Sequence, residues 1–144
     1  MNKSWSKKII WLTGNSGAGK TTLALLLQKK LQNTIVLDGD ELRSSISTDL
    51  GFSETDRDAH NMRAARLAQI LNNQGFSVIV SIIAPFKSTR DKITGLINPY
   101  WIYIKGGKIR KDMPYEIPTT TDLTIDPMKQ NINESLEKIL KLLN

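Results

Sequence analysis

The chain has 144 residues, 20 Lys and Arg against 14 Asp and Glu, no cysteine and a formal net charge of +6. That length predicts one domain over residues 1–144, and the missing cysteine excludes disulfides, thiolate zinc sites and cysteine nucleophiles. The basic residues are scattered instead of massed in one tract, which argues against nucleic acid as a partner and suits a pocket that holds polyanions.

Residues 1–8 are polar and basic, and the apolar run behind them is too short for a signal or membrane segment, so a soluble, cytoplasmic protein without a membrane partner is expected. Strand and helix patterns then alternate along the chain. A strand over 8–13 leads to a glycine-rich turn and a helix over 20–32. A strand over 34–37 follows, then helices over 40–45 and 54–73. Beyond these come a strand over 77–83, a helix over 88–97, strands over 100–105 and 122–125, and a last helix over 133–143. Such alternation predicts an α/β fold: a parallel sheet of about five strands with helices on both faces. Ser53 followed by Asp56 resembles a capping box with Asp in place of Glu, and Gly75 closes the long helix. The Pro-rich stretch 113–118 reads as an ordered connector.

The glycine-rich turn carries the sharpest signal. Gly14, Asn15, Ser16, Gly17, Ala18, Gly19, Lys20 and Thr21 fill the pattern G-x-x-x-x-G-K-[ST], between an apolar strand and an amphipathic helix as that pattern requires. Glycines let the backbone curl until N–H groups point at phosphate oxygens, Lys20 reaches the β- and γ-phosphates, and the Thr21 hydroxyl can ligate Mg²⁺. A nucleoside triphosphate held by Gly14, Ser16, Gly17, Ala18, Gly19, Lys20, Thr21 and Thr22 is therefore expected. No Asn-Lys-x-Asp motif follows a later strand, which speaks against a GTPase switch.

In an open parallel sheet, ligands gather beyond the carboxyl ends of the strands. The second strand runs into Asp38, Gly39 and Asp40, with Arg43 one helical turn on. Asp38 and Asp40 can hold the magnesium shell and take a proton from an attacking hydroxyl, and Arg43 can grip a phosphate. The competing reading is an Asx turn in which Asp40 caps the helix. The third strand leads to Ile83, Ala84, Pro85 and Phe86, with Lys87 and Arg90 able either to contact phosphate or to form a solvated face. Arg57, His60 and Asn61 share one face of the long helix, behind Phe52, which either stacks on a base or serves as a hydrophobic staple.

Taken together, the Gly14–Thr22 loop, the block from Leu37 to Arg43, the block from Asp49 to Ser53, Asp56-Arg57 and the block from Ile82 to Phe86 resemble the adenylylsulfate kinase family in order and spacing. The resemblance covers residues 7–90 well and the tail from 113 moderately. It implies Mg²⁺-ATP as donor and, as acceptor, the 3′-hydroxyl of a 5′-modified nucleotide, in the family adenosine 5′-phosphosulfate. It also implies roles: Asp40 activating the acceptor hydroxyl, Asp38 and Thr21 organising magnesium, and Arg43 and Arg57 binding the acceptor's anionic end. Phe52 would pack against the acceptor base, with the Ile83 backbone, His60 and Asn61 in the same pocket. A homodimer is the assembly the resemblance suggests.

Three departures stand against it. His60 occupies the position where the family usually has Asn, and Asn61 follows; Ala84 replaces the family's Ser. After the fourth strand the family carries about thirty residues, including a basic lid and a second aromatic, whereas this chain passes from Lys105 through Gly106, Gly107, Lys108, Ile109, Arg110 and Lys111 to its tail. Loss of the lid should lower kcat or hand its task to Lys108, Arg110 or Lys111; an inert glycine hairpin is the plainer reading. These departures keep two alternatives open: a related kinase acting on another nucleotide such as cytidine diphosphoramidate, or a nucleotide-binding module with little catalysis.

Overall fold

A computed structural model describes residues 8–108 and 114–144. In chain order they form β1 (Ile9–Thr13), α1 (Lys20–Lys30), β2 (Thr34–Asp38), α2 (Gly39–Arg43), α3 (Glu54–Asn73), β3 (Ser77–Ser81), α4 (Lys87–Ile97), β4 (Tyr100–Ile104), β5 (Leu123–Ile125) and α5 (Ile132–Leu143). The five strands make one sheet in the order β2-β3-β1-β4-β5, and every neighbouring pair is parallel.

Two-residue alternation along the strands divides the core. Ile10, Leu12, Ile79, Ile102 and Ile104 point to the face covered by Leu23 and Leu27 of α1 and Leu136 and Ile139 of α5. Trp11, Val78 and Val80 point the other way, against Ala64, Ala65 and Ala68 of α3 and Ile93 of α4. The small side chains of α3 let its backbone lie close to the sheet, and Trp11 packs on Trp101 with ring centroids 5.3 Å apart. Both faces of β1 are covered, so all five of its residues are buried.

The predicted elements are all present, with shifts at their ends. The third strand stops at Ser81, two residues before its expected end, so residues 82–86 form the loop that borders the sheet's carboxyl edge. The long helix has its expected bounds and ends in a Schellman motif. Gly75, at φ +108°, donates to Asn72 O, and Phe76 donates to Leu71 O. Its expected capping box is only half formed: Ser53 Oγ accepts from Asp56 N–H, but the Asp56 carboxylate turns to Gly51 N–H at 2.7 Å. Aspartate is one methylene shorter than glutamate, and the incoming Gly51 amide offers it a nearer donor. A complete box stands instead at α5, between Asn131 and Glu134.

The connector after residue 113 is ordered as expected. Tyr115 shares a hydrogen bond with Thr13 at 2.8 Å, and Glu116 N–H donates to Pro85 O at 2.7 Å. Met113 lies outside the described residues. No helix among the described residues is long and apolar enough to cross a membrane.

Candidate active site

The loop between β1 and α1 is shaped by its contacts with β4. Gly14 has φ +154°, and a Cβ there would stand 2.5 Å from Ile104 O, a backbone atom that cannot move aside. Gly14 and Ala18 do not line the cavity described below; Gly14 serves the curl of the loop, and Ala18 packs into the core beside α1. The helix that follows has Gly19 as its cap residue, no side-chain cap and no acidic residue in its first turn. Its first amides and the positive end of its dipole are therefore left for an anion. Lys20 is buried and donates to Gly14 O at 2.9 Å and Asn15 O at 3.0 Å. Burial lowers its ammonium to about pKa 8, against the opposing pull of Asp38 and Asp40.

Beside this loop, Thr21 Oγ1 donates to Asp38 Oδ1 at 2.9 Å, while Asp38 Oδ2 accepts from the amides of Asp40 and Glu41. Asp38, not Asp40, is thus the cap of α2: with β2 extending to residue 38, its carboxylate is the one that reaches the exposed amides. Asp40 sits in the first turn, exposed, its carboxylate without a hydrogen-bond partner among the described residues. Thr21 and Asp38 present hard oxygen donors side by side. One carboxylate and one hydroxyl, completed by phosphate oxygens and water, suit Mg²⁺. No cluster of three or more His, Cys, Asp or Glu suited to a metal occurs among the described residues.

On the far side of the cavity, Phe52 is 71% exposed at the entry to α3, so it is not a staple buried against the helix. The position one turn on, where a staple needs an apolar partner, holds Arg57. Two guanidiniums face the ring, Arg43 at 4.6 Å and Arg57 at 5.5 Å from its centroid. Backbone carbonyls hold both: Arg43 donates to Gly51 O at 2.6 Å, and Arg57 Nε to Phe52 O at 2.8 Å. Burial, and then the charge of Arg57, lower the pKa of Arg43. His60 is buried, its Nδ1 2.9 Å from Ser47 Oγ; burial, with Arg43 and Arg63 nearby, lowers its pKa to about 4 and keeps the ring neutral.

Most of these groups border one cavity of about 490 Å³. Ser16, Gly17, Gly19, Lys20, Thr21 and Thr22 form one wall; Asp38 and Asp40 stand in the middle; and Arg43, Phe52, Arg57, His60, Asn61 and Ile83 form the other. The carbonyl of Ile83 accepts from Thr13 Oγ1. Lys87 and Arg90 do not join them. Lys87 pairs with Asp91 on the surface at 2.8 Å, and Arg90 is buried, donating to Ala84 O and Glu116 O. Arg90 thereby pins Ala84, a residue other than glycine held at φ +48° on the cavity wall. Sequence reasoning missed Ser81 and Ile82 on this wall, because the strand was expected to run to residue 83; the strand-end rule applied to its true end selects them.

The short loop after β4 is packed onto the phosphate loop. Lys108 N–H donates to Ser16 O at 2.9 Å, and a Cβ at Gly107, at φ +79°, would meet Ser16 O at 2.7 Å and Asn15 Cβ at 2.9 Å. Arg110 and Lys111 lie outside the described residues.

Fold and cavity define a P-loop phosphotransferase, with a triphosphate cradle facing a second pocket that is cationic and aromatic. The profile of the adenylylsulphate kinase family matches residues 6–106. The adenylyl-sulfate kinase of Shewanella denitrificans is 32% identical, the alignment taking in 98% of this chain and 83% of that one. That of Geotalea uraniireducens is also 32% identical, over 92% and 78%. The structure of the Mycobacterium tuberculosis APS kinase CysC in complex with AMPPNP and APS matches with a TM-score of 0.85 at 27% identity, covering 96% of this chain and 98% of that one. The chain belongs to the adenylylsulphate kinase family. Its alignment with the Shewanella enzyme runs to 171 positions against the 144 residues of this chain, so at least 27 positions there have no counterpart here.

Proposed function

We propose that this protein, as a single domain, transfers the γ-phosphoryl group of ATP to the 3′-hydroxyl of adenosine 5′-phosphosulfate. The observation that carries this reading is the single cavity in which the phosphate loop, the Asp38–Asp40 pair and the Arg43–Phe52–Arg57 cluster meet. Lys20 exchanges its two carbonyl partners for β- and γ-phosphate oxygens, and the free amides at the start of α1 take the rest of the triphosphate. Thr21 and Asp38 would hold Mg²⁺, which when bound neutralises charge on the phosphates. Arg43 and Arg57 bind the phosphosulfate end, and the open face of Phe52 stacks on the base. As the 3′-oxygen bonds to the γ-phosphorus and the bond to the β–γ bridging oxygen breaks, Asp40 accepts the hydroxyl proton. Most of the acceleration then comes from positioning and charge neutralisation.

An assay of ADP release with ATP, Mg²⁺ and adenosine 5′-phosphosulfate tests the reading. Turnover that depends on that acceptor is expected; ATP binding without turnover on it overturns the assignment. The absence of cysteine suits a reducing compartment, and we place the enzyme in the cytoplasm. We propose a homodimer as its assembly. A hexamer is the state named for the Thiobacillus denitrificans APS kinase, whose structure matches with a TM-score of 0.83, and light scattering separates the two.

A further inference from the structure

Ser81, at the end of β3, is 3% exposed, and its Oγ has no hydrogen-bond partner among the described residues. An unpaired hydroxyl taken out of water is costly, so one that lines a ligand cavity points to a partner that the loaded state supplies.

The sheet fixes which part of the cavity that hydroxyl serves. Alternation along β3 turns Val78 and Val80 toward α3 and α4 and Ile79 toward α1, so Ser81 takes the α1 face. Its register partners are Leu12 on β1 and Asp38 on β2, and partners in a parallel sheet share a face, about 4.8 Å apart. Both sit accordingly: Leu12 packs with α1, and Asp38 meets Thr21 in the first turn of α1. Ser81 thus stands beside Asp38 on the triphosphate side of the cavity.

The polar groups on that side are engaged elsewhere. Asp38 Oδ1 accepts from Thr21 and Oδ2 from the amides of Asp40 and Glu41, while Lys20 donates to Gly14 O and Asn15 O. A hydroxyl one strand from a carboxylate, yet not bonded to it, is placed for a bridging water. Magnesium held by one carboxylate and one hydroxyl keeps several waters, whose protons need acceptors, and the lone pairs of a serine can accept.

We propose that Ser81 Oγ accepts a hydrogen bond from a water in the shell of the magnesium ion that Thr21 and Asp38 would hold, and so fixes that ion against the triphosphate. Ser81 is then a positioning residue, acting through the water and not on the reacting atoms. The inference rests on the triphosphate half of the proposed function and is independent of the acceptor.

Calorimetry with AMPPNP, in EDTA and in saturating Mg²⁺, measures how far magnesium tightens nucleotide binding in wild type, Ser81→Ala and Ser81→Thr. Ser81→Ala should reduce that gain by about three- to tenfold, the loss of one hydrogen bond, with affinity in EDTA unchanged. Ser81→Thr keeps the hydroxyl and should keep most of the gain. Without nucleotide, Ser81→Ala should melt no lower than wild type, since it removes a group that has no partner there. An equal loss of affinity in EDTA would put the hydroxyl on a phosphate oxygen and overturn the proposal. So would a Ser81→Thr chain as impaired as Ser81→Ala, or a Ser81→Ala chain that melts lower or fails to fold. An undiminished gain in Ser81→Ala overturns this inference alone, whereas a wild type whose AMPPNP binding ignores Mg²⁺ overturns the magnesium site and the proposed function with it.

Discussion

ATP binding should weaken as pH rises from 7.5 to 9.5. The cause is Lys20, whose ammonium is buried and lowered to about pKa 8. The triphosphate binds the charged form. Affinity is therefore level well below pH 8 and falls once the free enzyme loses the proton, approaching tenfold per unit. With a midpoint of about 8, roughly nine-tenths of the lysines carry a charge at pH 7 and about one-tenth at pH 9, a change of about 1.4 kcal/mol in binding. Asp38 and Asp40 pull the other way, so replacing Asp40 by Asn should move the midpoint lower. The measurement is isothermal calorimetry with Mg²⁺-AMPPNP across that range, on wild type and on Lys20→Arg. Arginine stays charged throughout, so the variant should bind more weakly, for want of the right geometry, but with a flat profile. A flat profile in the wild type, or the same slope in Lys20→Arg, would refute the reasoning.

Asp40→Asn should lower kcat by about a hundredfold or more while leaving AMPPNP affinity near wild type at pH 7, because it removes the proposed proton acceptor without touching the phosphate loop; lost ATP binding with kcat spared would reassign the residue. His60, lowered to about pKa 4 in the fold, must be neutral there, so stability is full above about pH 6.5 and falls as pH drops toward 4, because the unfolded chain takes the proton first. That loss is at most about 3 kcal/mol, and urea unfolding at pH 7.5 and 4.5 should show a smaller loss in His60→Asn; equal losses in the two proteins would contradict it. Gly107→Ala forces a Cβ against Ser16 O and Asn15, so the loop should lift from the phosphate loop and AMPPNP should bind several-fold more weakly, the loss of about one hydrogen bond. Unchanged affinity there would return this segment to an ordinary hairpin.

Much of the site was legible because its signals are local. The phosphate loop needs only a strand, a glycine-rich turn and a helix start within a dozen residues, and Arg57, His60 and Asn61 share a helical face by spacing alone. The choices that failed were those in which two neighbouring groups competed for one role. Asp38 took the cap that the competing reading gave to Asp40, and Asp56 left the expected box for Gly51. Arg90, which the sequence leaves open as a phosphate ligand or part of a solvated face, spends both arms of its guanidinium on Ala84 and Glu116.

By itself, the sequence determined the order of strands and helices, the glycine-rich loop from Gly14 to Thr22, and which carboxylates and arginines follow the second strand and open the long helix. Only the tertiary structure decided where the third strand stops, and so that Ser81 and Ile82 line the cavity. It also decided that Phe52 stays exposed beside two guanidiniums and that the loop through Gly107 packs onto Ser16. The physical reason is range. Helix, strand and turn preferences are settled by neighbours a few residues away, whereas the partner of a long side chain, or the want of one, depends on backbone that folding brings in from tens of residues off.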